Sequence, residues 1–264
     1  LSFNAVHTPM HATDDRLSKF SNIADKQRRT YNAMMLAMDD AIGKVRETLV
    51  VTGQADNTLI AFISDNGGPA MAGVTVNGSN NAPLRGSKRT TLEGGIRVPY
   101  VITWPGHLKP GIFEQPAIQM DLHATALAAA GVDAKLEWKL DGVNLLPFLS
   151  GENVDAPHDA LYWRFGKQMA IRSGDWKLVR YDSNADTQSG QAEPVTDARL
   201  YNLSTDIHED QDVSAMNPDK VRELQASWDT WDQANVAPLW GGGNAGGKKQ
   251  ATAKSGKKKR KNAQ

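Results

Sequence analysis

The chain has 264 residues, enough to bury a substantial core, and carries 30 basic against 30 acidic residues. That balance hides an asymmetry: eight of the basic residues follow Gly247 with no acid among them, leaving 22 against 30, an acidic body with a basic tail. With no cysteine, a disulfide framework, a thiolate nucleophile and a thiolate-bound zinc are excluded, and no apolar run approaches the roughly 18 residues of a membrane span.

Leu1 to Phe3 reads as the end of a strand, without the basic and then apolar stretches of a signal peptide. The chain therefore opens in mid-element and is expected to be the C-terminal portion of a longer protein. A loop follows, with His7, Pro9 and His11, in which the proline stops any continuation of the strand. From residue 25 to 51 apolar side chains return at helical spacing through Tyr31, Met34 or Met35, Met38, Ile42, Val45 and Leu49, and Gly53 closes this amphipathic helix.

Residues 58–63 form a continuous apolar run, which predicts a strand covered on both faces, as in a parallel α/β sheet. Residues 67–95 are rich in Gly, Asn, Ser and Thr, and so long an irregular segment predicts a functional loop. A second strand is expected over 98–104 and an Ala-rich helix over 120–130, ended by Gly131. Past Gly151 the pattern changes to short aromatic-rich runs at 160–165, 169–172, 176–181 and 199–202, with Ser173-Gly174-Asp175 as a turn, and then a helix at 218–233.

This order predicts a catalytic α/β domain over residues 1–151, a small antiparallel-sheet-plus-helix subdomain over 152–240, and a Gly-rich linker with a basic disordered tail over 241–264. The tail's lysines could contact nucleic-acid phosphates, but it is read as a solvated terminus and nucleic acid is not expected as a partner.

The chemistry concentrates after the first long strand, in Ser64-Asp65-Asn66-Gly67-Gly68. In open α/β sheets ligands collect beyond the carboxyl ends of strands, where Asp65 and Asn66 offer a carboxylate and an amide oxygen suited to Ca²⁺ or Mg²⁺. The same five residues also suit a plain turn. Lys88, in a glycine-flanked loop, can hold a sulfate or phosphate as a point charge, though most lysines are solvated surface charges. His7 could hold an oxyanion when protonated or pass a proton to a departing oxygen, or be an ordinary loop histidine. Arg97 is read as pairing with Glu93 to pin the loop. His107, His123, His158 and His208 show no metal-ligand spacing.

Taken together these segments resemble the type I sulfatases of the alkaline-phosphatase-like superfamily. The matching pieces are His7-Thr8-Pro9-Met10-His11-Ala12, Ala37-Met38-Asp39-Asp40-Ala41-Ile42-Gly43, Ser64-Asp65-Asn66-Gly67-Gly68, Leu84-Arg85-Gly86-Ser87-Lys88, Glu93-Gly94-Gly95-Ile96-Arg97-Val98-Pro99 and Trp104-Pro105-Gly106. Asp141-Gly142-Val143-Asn144-Leu145-Leu146-Pro147 and Arg199-Leu200-Tyr201-Asn202-Leu203-Ser204-Thr205-Asp206 continue the likeness, in the family's order.

The resemblance implies an α/β, alkaline-phosphatase-like sandwich with a largely parallel central sheet, present in part, and a small C-terminal α+β subdomain with an antiparallel sheet. It implies Asp65 and Asn66 as metal ligands, usually of Ca²⁺ and less often Mg²⁺. Lys88 and His7 are implied as the catalytic and substrate-binding residues at the sulfate and leaving-group oxygens. The family's nucleophile is a formylglycine made from a Cys/Ser-x-Pro-x-Arg segment, which has no match here and is expected upstream of Leu1, so the chain alone is expected to be inactive. The expected partner is a sulfated small molecule or glycan, the expected location periplasmic or secreted, and no membrane association is expected. A phosphodiesterase or phosphonate hydrolase of the same superfamily and a catalytically silent anionic-glycan-binding domain are the alternatives.

Overall fold

The computed structural model describes residues 1–70, 76–184 and 195–237. The linker and tail, the first five residues of the Gly/Asn-rich segment 71–81 and the middle of the polar loop 182–197 lie outside the described residues. No described helix is long and apolar enough to cross a membrane.

Leu1 to Phe3 belongs to no described strand, contrary to the sequence reading, and a short helix α1 (Asp14–Ser18) precedes the long helix α2 (Lys26–Val51). Asp25 starts α2 by accepting a bond from the Arg28 amide at 2.6 Å, which satisfies one of the unpaired N–H groups of the first turn. Its Met34 and Met38 are buried as the apolar spacing predicts, but Val50 and Val51 at the far end are exposed.

Strand β1 (Ile60–Ile63) pairs with β2 (Tyr100–Thr103), Ile60 facing Thr103 and Ile63 facing Tyr100. The pairing is antiparallel, where the continuous apolar run of β1 had suggested a parallel neighbour. Apolar continuity reports cover on both faces and does not fix strand direction. Between the two strands the chain makes the long excursion that carries Lys88 and ends in a single helical turn, α3 (Glu93–Ile96). Helix α4 (Asp121–Ala129) and helix α5 (Leu146–Ser150) follow, each closed by a glycine in the left-handed region, Gly131 at φ 70° and Gly151 at φ 83°.

Four strands then run as consecutive antiparallel neighbours: β3 (Leu161–Phe165), β4 (Gln168–Ser173), β5 (Trp176–Arg180) and β6 (Arg199–Asn202). Helix α6 (Pro218–Gln233) covers one face. Alternation along the strands sorts the side chains into two layers. Met169, Ile171, Leu178 and Leu200 meet Leu224 of α6, while Ala170, Val179 and Tyr201 meet Leu92 from the Lys88 excursion. The second layer matters for function, because it presses the four-stranded sheet against the loop that holds the candidate site.

Candidate active site

Side-chain hydrogen bonds join that sheet to the excursion. Thr91 Oγ1 donates to the Arg180 carbonyl at 2.9 Å, and buried Gln168 donates through Nε2 to the Arg89 carbonyl at 2.8 Å. Lys177 Nζ bonds Glu93 Oε1 at 2.8 Å. Lys177 lies two residues before Val179 on β5, so the same alternation that aims Val179 at Leu92 aims its ammonium at Glu93.

The strand-end loop is fixed as closely. Ser64 N donates to the Pro99 carbonyl, Gly67 N donates to the Gly95 carbonyl at 3.0 Å, and Lys88 N donates to the Gly68 carbonyl at 3.2 Å. The β1 tip, α3 and the Lys88 loop are thus laced by their backbones, and glycine is needed for the approach: a Cβ on Gly67 would lie 1.7 Å from the Gly94 oxygen. Because backbone stands on both sides of that clash, Gly67→Ala is expected to cost near the upper end of the about 1–3 kcal/mol typical of overpacking. A thermal melt checks this, and an unchanged melting temperature would show that the approach is not obligatory.

Asp65, Asn66 and Lys88 all line one cleft of about 1090 Å³, so the cleft brings together the metal-ligand and anion-binding candidates. The exposed Asp65 carboxylate has no hydrogen-bond or ion-pair partner among the described residues, while Gln119 Nε2 anchors the main chain beside it through the Ser64 carbonyl at 2.7 Å. Asn66 spends its Nδ2 on the Gly67 carbonyl at 3.0 Å, which leaves Oδ1 available.

His7 Nδ1 lies 2.7 Å from the Thr8 carbonyl, and since a carbonyl only accepts, Nδ1 carries the proton. The other nitrogen, Nε2, then faces Lys88 Nζ at 3.4 Å with its lone pair. The His7 loop is itself held by buried Asn77, whose Nδ2 donates to the Val6 carbonyl at 2.6 Å. An ammonium beside an imidazole can hold an anion, and Lys88 shares its cleft with Asp65 and Asn66, whose oxygens suit a hard cation.

Two hard oxygens fit a divalent cation of the Ca²⁺ or Mg²⁺ type, yet Ca²⁺ takes about six to eight. Among the described residues no group of three or more His, Asp or Glu side chains could hold a metal. Asp65 and Asn66 could therefore supply only two of the oxygen donors that such a cation needs.

The sulfatase family model matches residues 1–132, and a model described as N-sulphoglucosamine sulphohydrolase, C-terminal, matches residues 86–227. The chain belongs to the sulfatase family. The N-acetylgalactosamine-6-sulfatase of Homo sapiens is 38% identical over 176 residues, covering 66% of this chain and 32% of the human protein. The uncharacterized sulfatase YdeN of Escherichia coli (strain K12) is 29% identical over 267 residues, covering 90% of this chain and 47% of its own. Among solved structures, Ps i-CgsB in complex with k-i-k-neocarrahexaose matches with a TM-score of 0.78 at 35% identity, covering 91% of this chain and 51% of that one. This sulfatase chain thus spans about half or less of the length of these relatives, and its fold is the alkaline-phosphatase-like one, in part.

Sequence reasoning missed Lys177 and Glu209. Both are fully buried, and with Glu93 they form a compact charged cluster behind the site. Burial disfavours the Lys177 ammonium, but Glu209 and Glu93 outweigh it and raise its pKa. Burial also opposes ionisation of Glu93, yet Lys177, helped by Arg172 and Arg97, holds its pKa below the usual carboxylate value. Burial pushes Glu209 up, and Lys177 does not fully offset it. Strand alternation in residues 176–180 was the available signal for Lys177. Arg97 does face Glu93, but at 3.8 Å and in company with Arg172 at the same distance, so Lys177 is the tighter partner. His158, to which sequence spacing gave no role, packs against both oxygens of buried Asp121 at 2.9 and 3.0 Å.

Proposed function

We propose that this chain is the C-terminal part of a sulfuric ester hydrolase acting on sulfated carbohydrate. Lys88 and His7 receive the sulfate group and the leaving-group oxygen, and Asp65 and Asn66 supply two donors to a divalent cation, Ca²⁺ before Mg²⁺. The single observation that carries this reading is the shared cleft: Lys88, whose ammonium lies 3.4 Å from His7, lines the same cleft as Asp65 and Asn66. When bound, the cation would offset charge on the sulfuryl oxygens. This chain's own part is to place a positive charge and a proton-carrying ring against the anion and to fix both through backbone bonds. The nucleophile is a formylglycine supplied from sequence outside these 264 residues. Likeness to a sulfatase named for N-acetylgalactosamine supports a sulfated sugar as substrate.

The test measures sulfate release from a sulfated saccharide by the protein in its complete length, with and without a chelator, and compares Asp65→Ala. Loss of turnover on chelation, restored by Ca²⁺ in the parent but only weakly in the variant, is expected. Turnover of phosphodiesters with no release from sulfate esters would overturn the assignment, and retention of a sulfated glycan without turnover would favour a binding domain.

A further inference from the structure

The excursion that carries Lys88 is gripped at both ends by one distant residue. At its start, Arg85 donates through Nη1 to the main-chain carbonyl of Glu209 at 2.7 Å, and through Nη2 to the Tyr181 hydroxyl at 3.2 Å. At its end, the Glu93 amide donates to Glu209 Oε2, also at 2.7 Å. The remaining oxygen, Oε1, lies 2.8 Å from Lys177 Nζ, an ion contact without the alignment of a hydrogen bond, and Lys177 turns back to Glu93 Oε1. Carbonyl, carboxylate and ammonium thereby close a ring around the base of the loop.

Glu209 is built for that grip. It is fully buried, and its φ of 59° lies in the left-handed region, which non-glycine residues keep only where the surroundings enforce it. In that conformation its carbonyl serves Arg85 while its side chain serves Glu93. Between the two anchor points Ser87, Thr90 and Leu92 are buried, so the loop has little slack with which to absorb a shift at either end. Lys88 lies midway and touches the rest of the site through Gly68 and His7.

We propose that Glu209 is a positioning residue for Lys88, clamping both ends of the loop so that the ammonium stays beside His7 on the cleft. This rests on the sulfatase reading of Lys88 in so far as activity is concerned; the clamp itself does not. A displacement of about 1 Å in a charge-bearing group can cost on the order of 100-fold in rate, so a grip behind the site has kinetic consequences.

Two variants of the complete protein test it. Glu209→Ala removes the acceptor for the Glu93 amide together with the carboxylate facing Lys177, and Arg85→Met cuts the other arm without touching the buried charges. Amide hydrogen exchange over residues 86–92 is expected to rise about tenfold or more in each variant, with residues 60–63 unchanged. The kcat/KM for sulfate release is expected to fall about 10–100-fold. Adding either change to Lys88→Ala should cost less than about threefold more, because a residue acting through Lys88 has nothing left to position. Unchanged exchange in the loop, or losses that simply multiply in the double variants, would overturn the proposal. If Glu209→Ala does not fold, Arg85→Met carries the same measurements. Loosened exchange in a parent that releases no sulfate from any ester would uphold the clamp and sink the sulfatase reading instead.

Discussion

Replacing Lys88 by alanine is expected to lower sulfate release by about 100–1000-fold, the loss typical of removing one preorganised charge-stabilising group. Lys88 lines the cleft with Asp65 and Asn66 and its ammonium lies 3.4 Å from His7 Nε2, so its removal leaves the cleft with one cationic side chain fewer and takes the ammonium from beside the imidazole. Lys88→Arg should not restore the rate, since a planar, longer guanidinium cannot occupy the place of a compact ammonium beside His7. Melting temperature should barely move in either variant, because Lys88 is partly exposed and its amide bond to Gly68 survives substitution. A Lys88→Ala enzyme within about threefold of the parent, in a measurement that resolves a tenfold change, would remove Lys88 from the reaction.

Lys177→Met is expected to be the most damaging change to stability. It leaves Glu93 and Glu209 buried without their shared cation, and breaking a buried ion pair in this way costs about 3–5 kcal/mol. For a chain of this size that corresponds to a fall of about 6–20 °C in melting temperature. The pH dependence gives a sharper signature. In the parent, depressed Glu93 contributes stability that is present above its unfolded value of 4.5 and is lost as pH falls through its folded pKa. Raised Glu209 contributes the opposite way: its share is complete below 4.5 and is lost as pH climbs through its folded pKa.

Raised Lys177 contributes stability that is complete below 10.5 and is lost only as pH rises through its folded value. Without Lys177 both carboxylates favour the protonated state, so acid relieves the variant. The gap in melting temperature between parent and Lys177→Met should therefore narrow from pH 8 toward pH 5. A gap that stayed constant over that range would mean that the charges are not what the lysine holds. Adding Glu209→Gln to Lys177→Met should recover part of the loss, since it removes one of the two uncompensated groups.

Helix α6 was legible in the sequence at about its observed bounds, because its apolar stripe is long and Pro218 marks its first turn. Strands β3 to β6 were legible because short alternating runs separated by turns have few other solutions, and Gly174 at φ 55° sits where the turn was read. The direction of β1 was not, since pairing depends on which strand arrives beside it. The same contrast runs through the site. Asp65, Asn66, Lys88 and His7 stand in ordered segments that mark them as candidates, whereas Glu209 looks like one more acid in a polar stretch between Asp206 and Asp212. Its role comes from a left-handed backbone and from partners 116 to 124 residues away, which no local pattern encodes.

The two-sided sheet sets a limit on how the protein can be taken apart. A cut near residue 151 would strip the Lys88 loop of Lys177, Glu209 and the hydroxyl of Tyr181 at one stroke, and would leave Leu92 facing water. A shortened version made for convenience would keep His7, Asp65, Asn66 and Lys88 and lose the masonry behind them. Any effort to graft this cleft onto another scaffold has to carry β5 and the turn at Glu209 along with the residues that line it.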